Sequence, residues 1–222
     1  MKLGVVLSAG GSAFGQVAHI AGPDVEFVAI TARACPAEGL ASALGLECIR
    51  VSGEGRASVS RAIADLALER GLRSVLLNYD RLVTADLFET VPTFNVHPAA
   101  LPAFKGLHGV EDAHAAGAHL LGCTLHKVDE TMDGGAIVSQ IVRSADPSWS
   151  LRRWQKLAYL MKVYCGLVWA AGELGVLRPG TGLNASHDLP ANWRESFLAL
   201  QRAEGEAVIA DDPAVLRDLR IA

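Results

Sequence analysis

Short apolar runs alternate with helix-like segments over the first hundred residues, and this rhythm limits the possible folds more than any other feature of the chain. Leu3–Ser8, Val25–Thr31, Glu47–Val51, Ser74–Tyr79 and Thr93–His97 read as five strands. Runs such as Val25-Glu-Phe-Val-Ala-Ile30 and Ser74-Val-Leu-Leu77 are apolar at nearly every position, as strands are when both of their faces are covered. Between them, residues 13–21, Pro36–Leu44, Ser58–Arg70 and Thr84–Thr90 read as helices. In Ser58–Arg70 the apolar residues Val59, Ile63, Leu66 and Ala67 share one face, and Gly71 stands where a left-handed cap belongs. Alternation of this kind predicts an α/β fold with a mostly parallel central sheet and helices on both faces.

The rhythm changes after residue 108. A helix over 108–117 leads to two strands, 121–129 and 136–143, joined by Glu130-Thr-Met-Asp-Gly-Gly135, and a long helix follows over 150–174. From Arg178 onward Gly180, Gly182 and Asn184 mark a loop, and 190–204 reads as a further helix. Residues 1–177 are therefore expected to form one domain. Residues 178–222 are expected to be an extension that packs on the core or on a partner.

Of the 222 residues, 50% are hydrophobic and 20% charged, enough for a sizeable core and contrary to the composition of disordered chains. A net charge of −4 does not suggest a nucleic-acid partner. The apolar run Leu3–Leu7 is short for an export signal, and no stretch approaches the roughly 18 apolar residues of a membrane span. Cys35, Cys48, Cys123 and Cys165 are scattered without a CxxC pair, so they are expected as reduced thiols rather than zinc ligands. A cytoplasmic protein, monomer or homodimer, with no membrane partner is the expectation.

The chemistry concentrates in two stretches. In Phe94-Asn-Val-His-Pro98, Asn95 and His97 are two apart on a strand and point the same way. Pro98 holds His97 extended and ends the ladder, which places an amide and an imidazole together at the C-terminal end of a strand. Open parallel sheets bind their ligands at such ends. In the second stretch, Asp133 lies in a turn before Gly134 and Gly135, where glycine permits positive φ and close approach.

Together these stretches resemble the folate-dependent formyltransferase family, and within it the glycinamide ribonucleotide transformylases. That pattern is carried by Asn95, His97, Pro98, Leu101, Pro102, Gly106, Leu107, His108, Thr124, His126, Val128, Asp133, Gly134, Gly135 and Gln140. It is dense over residues 93–143, weaker over 1–92, and fades after about 175. The resemblance implies a Rossmann-like formyltransferase fold and an enzyme that moves a formyl group from the co-substrate 10-formyltetrahydrofolate to the amine of a small, possibly phosphorylated acceptor. It implies Asn95 and protonated His97 as donors to the developing oxyanion, with Asp133 beside His97 helping to move a proton. It requires no metal and no covalent intermediate. Asn95, His97 and Asp133 also have structural readings as a loop-bonding amide, a satisfied histidine and a turn aspartate; His108 and His126 remain open between site and scaffold.

The resemblance also places two pockets. Arg81, Leu82 and Val83, with Gly134 near the Asp133 turn, would hold the folate; Gly10, Gly11 and Ser12, in the turn after strand one, would receive the acceptor. Three departures accompany them. Asn78, Tyr79 and Asp80 replace the family's Gly-Phe-Met, Ala9, Gly10 and Ala13 depart from its first loop, and Tyr159 stands where its long helix carries a glutamate. They point to an amine other than glycinamide ribonucleotide. A sugar or natural-product amine, water as acceptor in a formyltetrahydrofolate hydrolase, and a non-catalytic folate or nucleotide module are the other readings.

Overall fold

The computed structural model describes residues 1–179 and 187–211. Seven strands form one sheet: β1 (Lys2–Leu7), β2 (Glu26–Thr31), β3 (Glu47–Arg50), β4 (Val75–Asn78), β5 (Thr93–His97), β6 (Leu120–Lys127) and β7 (Ile137–Ser144). Their order is β3-β2-β1-β4-β5-β6-β7. The first five run parallel, while β6 and β7 pair antiparallel. The helices are α1 (Ser12–Ala21), α2 (Ala37–Ala43), α3 (Gly55–Arg70), α4 (Ala85–Phe88), α5 (Gly109–Ala115), α6 (Leu151–Glu173) and α7 (Ala191–Asp211). This is the expected α/β class, with element ends displaced by a few residues. α3 starts at Gly55, ahead of the expected Ser58, and Glu54 at its N-cap makes no side-chain capping bond.

Adjacent residues of the central strands point to opposite faces, and both faces are covered, which is why the runs read as continuously apolar. Val6, Val28, Ile30, Ile63, Leu66 and Leu87 pack in the core on the side of α3 and α4. Val5, Leu7, Phe14, Val17, Phe27, Trp154 and Trp169 pack on the side of α1 and α6. At the crossing of α1 and α6 a Cβ on Gly166 would lie 2.7 Å from Val17 Cγ2, so the absence of a side chain there sets the helix separation. The described part of the C-terminal extension lies on this same core. Leu189, Trp193 and Phe197 are buried, and Trp193 Nε1 donates to Asp24 Oδ2 at 3.2 Å.

At the outer edge of the parallel half, Glu38 of α2 accepts from Arg50 Nε (2.8 Å) and Nη2 (2.5 Å) and from Thr31 Oγ1 (2.8 Å). The Arg50 bonds, then that from Thr31, hold its carboxyl at about 2, against an ordinary value of 4.5. A depressed carboxyl contributes stability above the unfolded value and loses it as pH falls through the folded one. The urea midpoint gap between the native chain and Glu38→Gln is therefore expected to be constant from pH 7 to about 5, then to shrink toward pH 2. A gap that widens on acidification would contradict the assignment.

The order of strands places a switch point between β1 and β4: the chain winds to β2 and β3 on one side and to β4 and β5 on the other. The crevice outside the carboxyl ends of β1 and β4 is where such sheets hold ligands. Among the described residues, no helix is long and apolar enough to cross a membrane.

Candidate active site

Asn95 and His97 stand on β5 at the boundary between the parallel and antiparallel halves of the sheet. In the β5–β6 register Asn95 faces His126 and His97 faces Thr124. Directly opposed residues bring their side chains into contact, so two motifs about thirty residues apart become one cluster. His97 is buried, and Asp133 is nearly so. Asp133 Oδ2 lies 3.5 Å from His97 Nδ1, and Asp133 Oδ1 lies 3.7 Å from His126 Nε2. The turn between β6 and β7 thus carries Asp133 back over the end of β5.

Hydrogen bonding assigns the tautomers. The Phe104 carbonyl can only accept, so His97 Nε2, at 2.8 Å from it, carries a hydrogen. His126 Nδ1 donates to Lys127 O at 2.8 Å; its Nε2, 3.2 Å from Asn95 Nδ2 and 3.7 Å from Asp133 Oδ1, accepts from the amide when the ring is neutral and donates to the carboxylate when it is protonated. That contact orients the Asn95 amide. One of its two N–H groups is directed at His126, and the other can serve a ligand. Burial of Asp133 opposes its ionisation, but the interaction with His126, the Gly106 N–H at 2.8 Å and the charge of His97 outweigh it and hold the carboxyl below its ordinary value.

The backbone of the turn makes this placement possible. Asp133 has φ 48°, a left-handed conformation that aspartate tolerates better than most residues. A Cβ on Gly135 would fall 1.9 Å from Lys127 O, so glycine is obligatory there. The loop after β5 is stitched to the antiparallel strands. Thr124 Oγ1 donates to Ala99 O (2.7 Å) and accepts from Leu101 N (3.2 Å), while Gln140 Nε2 donates to Thr124 Oγ1 (2.9 Å) and Leu101 O (3.0 Å). His126, Thr124 and Gln140 support the cluster in ways the motif spacing alone left open. Thr124 and His126, two apart on β6, share one face, and the register sets them against β5.

The other expected residues occupy several places in the fold. Arg81 and Leu82 are exposed, and with Gly55, Arg56, Val59, Ser60 and Tyr79 they line a small cleft at the start of α3; Val83 is half-buried beside it. Gly134 adjoins Asp133, and a Cβ there would meet Thr131 Oγ1 at 2.2 Å. Gly10 and Ser12 are exposed, and Gly11 is buried with φ 68° at the N-cap of α1, which has no side-chain cap. Gly10, Gly11 and Ser12 are thus at the β1 side of the crevice, separated from Asn95 by the end of β4. His108 is exposed at the N-cap of α5. Among the described residues, no group of three or more His, Cys, Asp or Glu is arranged to hold a metal ion.

The family model described as "Formyl transferase" matches residues 36–156, more than half of the chain. The chain belongs to the formyl transferase family. Phosphoribosylglycinamide formyltransferase of Bacillus subtilis is 38% identical over 92 residues, which are 40% of this chain and 47% of that protein. Formyltetrahydrofolate deformylase 2, mitochondrial, of Arabidopsis thaliana is 34% identical over 118 residues, 48% of this chain and 34% of that protein. The alignments thus span less than half the length of these curated relatives. In three dimensions the chain resembles the crystal structure of phosphoribosylglycinamide formyltransferase from Streptococcus pneumoniae. The TM-score is 0.69 at 29% identity, covering 77% of this chain and 98% of that one.

Proposed function

We propose that the chain transfers the formyl group of 10-formyltetrahydrofolate to the primary amine of a small-molecule acceptor, with Asn95, His97 and Asp133 as the reacting residues. The observation that carries this reading is the convergence of His97, Asp133 and the His126-oriented Asn95 amide at the end of β5. The amine nitrogen attacks the formyl carbon, the new C–N bond forms, and negative charge grows on the formyl oxygen. The second N–H of Asn95 and the protonated His97 ring stabilise that oxygen. The oxygen takes the place of the Phe104 carbonyl as acceptor at Nε2. Asp133, ionised and paired with His97, balances the imidazolium while the amine proton passes to N10 and the C–N10 bond breaks.

In this reading Arg81, Leu82, Val83 and Gly134 border the folate, and Gly10, Gly11 and Ser12 face the acceptor. Residues 1–177 form the catalytic unit, and the described part of the extension packs on its α1–α6 side. The relationship to phosphoribosylglycinamide formyltransferases supports an amine as the acceptor, while the departures in the first loop, at Asp80 and at Tyr159 favour an amine other than glycinamide ribonucleotide. The relationship to formyltetrahydrofolate deformylases supports a second reading, in which water takes the amine's place. One assay separates the two: the protein is mixed with 10-formyltetrahydrofolate, and tetrahydrofolate and formate are followed with and without glycinamide ribonucleotide. Ribonucleotide-dependent release without formate supports transfer to that amine. Formate release independent of any amine supports hydrolysis. Failure to bind folate or release tetrahydrofolate under any condition overturns both.

A further inference from the structure

The crevice at the switch point is crossed by an ion pair that belongs to none of the reacting residues. Arg33, just beyond β2, reaches over the end of β1: its Nη2 donates to Ser8 O at 3.2 Å and to Asp80 Oδ2 at 2.5 Å. Asp80, just beyond β4, is anchored in turn by its own N–H, which donates to Ser8 Oγ at 3.0 Å. Three strand ends, β2, β1 and β4, are thereby tied together across the mouth of the turn that leads into α1. Both side chains retain access to solvent, 38% for Arg33 and 52% for Asp80, so a ligand in the crevice can meet them.

The charge balance of this rim has a chemical consequence. The turn Ala9-Gly10-Gly11-Ser12-Ala13 brings no charged side chain of its own. On the far side of α1, position 159 holds a tyrosine that engages Gln16. The guanidinium bonded to the turn is neutralised by Asp80. A phosphate seated there would find Arg33 already engaged and a carboxylate beside it. Neutral hydroxyl groups fit the same pair well, since they donate to the carboxylate and accept from the guanidinium.

We infer that Arg33 and Asp80 are the acceptor-specificity residues of this site, and that they select an unphosphorylated amine bearing hydroxyl groups over a phosphorylated one. The inference rests on the proposal that the crevice takes the acceptor.

Isothermal titration of ribose and ribose 5-phosphate tests it without recourse to turnover. The native chain is expected to bind the phosphate ester no more tightly than ribose. Asp80→Asn, which keeps the shape and frees Arg33, is expected to bind ribose 5-phosphate about tenfold more tightly than the native chain, as removal of a like charge at close range warrants. Asp80→Ser repeats the change with a smaller side chain should the amide disturb folding. The double variant Arg33→Met/Asp80→Asn is expected to lose the gain. A native chain that already binds the phosphate ester tenfold more tightly than ribose overturns the inference. So does unchanged or weaker binding in both Asp80 variants, or a gain that survives loss of Arg33. Failure of the formyl-transfer assay alone would sink the proposed reaction and leave these binding results to stand or fall separately.

Discussion

Replacing His97 by alanine is expected to lower formyl transfer by about a hundred- to ten-thousandfold, the range spanned by a positioned acid–base group and an oxyanion donor. The ring is held on two sides, by Phe104 O at Nε2 and Asp133 at Nδ1, so its removal takes away one pre-oriented donor without moving the backbone of β5. The loss should fall on the single-turnover rate of tetrahydrofolate release at saturating folate, with folate affinity little changed. Asn95→Ala is expected to cost about a hundred- to a thousandfold. The double variant should lose less than the product of the two, because both residues act on one oxygen. A loss smaller than about tenfold in His97→Ala would remove His97 from the reaction and return it to a structural role.

The largest effect on stability is expected at Trp169. The indole is 2% exposed, lies 6.2 Å from the Phe27 ring and donates to Ser74 Oγ at 3.1 Å. It joins α6 to the edges of β2 and β4 inside one core. Trp169→Ala leaves a cavity that costs about 3–5 kcal/mol, and fully buried Ser74 loses its partner. At roughly 2–4 °C per kcal/mol for a chain of this size, the melting temperature should fall by about 6–20 °C. Trp169→Phe should restore much of the volume but not the hydrogen bond, and is expected to fall between the two. Denaturant midpoints measured at constant slope would check this, and a change under about 1 kcal/mol would show that α6 closes over the cavity.

The proposed reacting residues could be singled out because part of their signal is local. Asn95 and His97 share a face by strand periodicity, Pro98 ends the strand, and the glycines after Asp133 announce a turn that needs unusual backbone. His126 was visible as a residue and not as a role. Its contact with Asn95 exists only because β5 and β6 pair antiparallel in one register; a shift of one residue would carry it to the other face of the sheet. The loop after β5 shows the same limit. Its anchoring by Thr124 and Gln140 depends on both strands of the β6–β7 hairpin lying beside it.

Arg33 and Asp80 mark that boundary most clearly. They are 47 residues apart, and nothing in the spacing links a residue after the second strand to one after the fourth. The departure at Asp80 was apparent as a charge where an apolar residue was expected; its partner was not. Strand and helix identity, the two covered faces and the placement of Asn95 and His97 at a strand end follow from hydrophobic period, turn chemistry and proline placement, which act over a few residues, whereas a reacting role for them came from the family resemblance. Strand order, register and the crossing of the crevice by an ion pair follow from how the strands are stacked beside one another. That stacking is settled by burial over the whole chain and leaves no mark in any short segment.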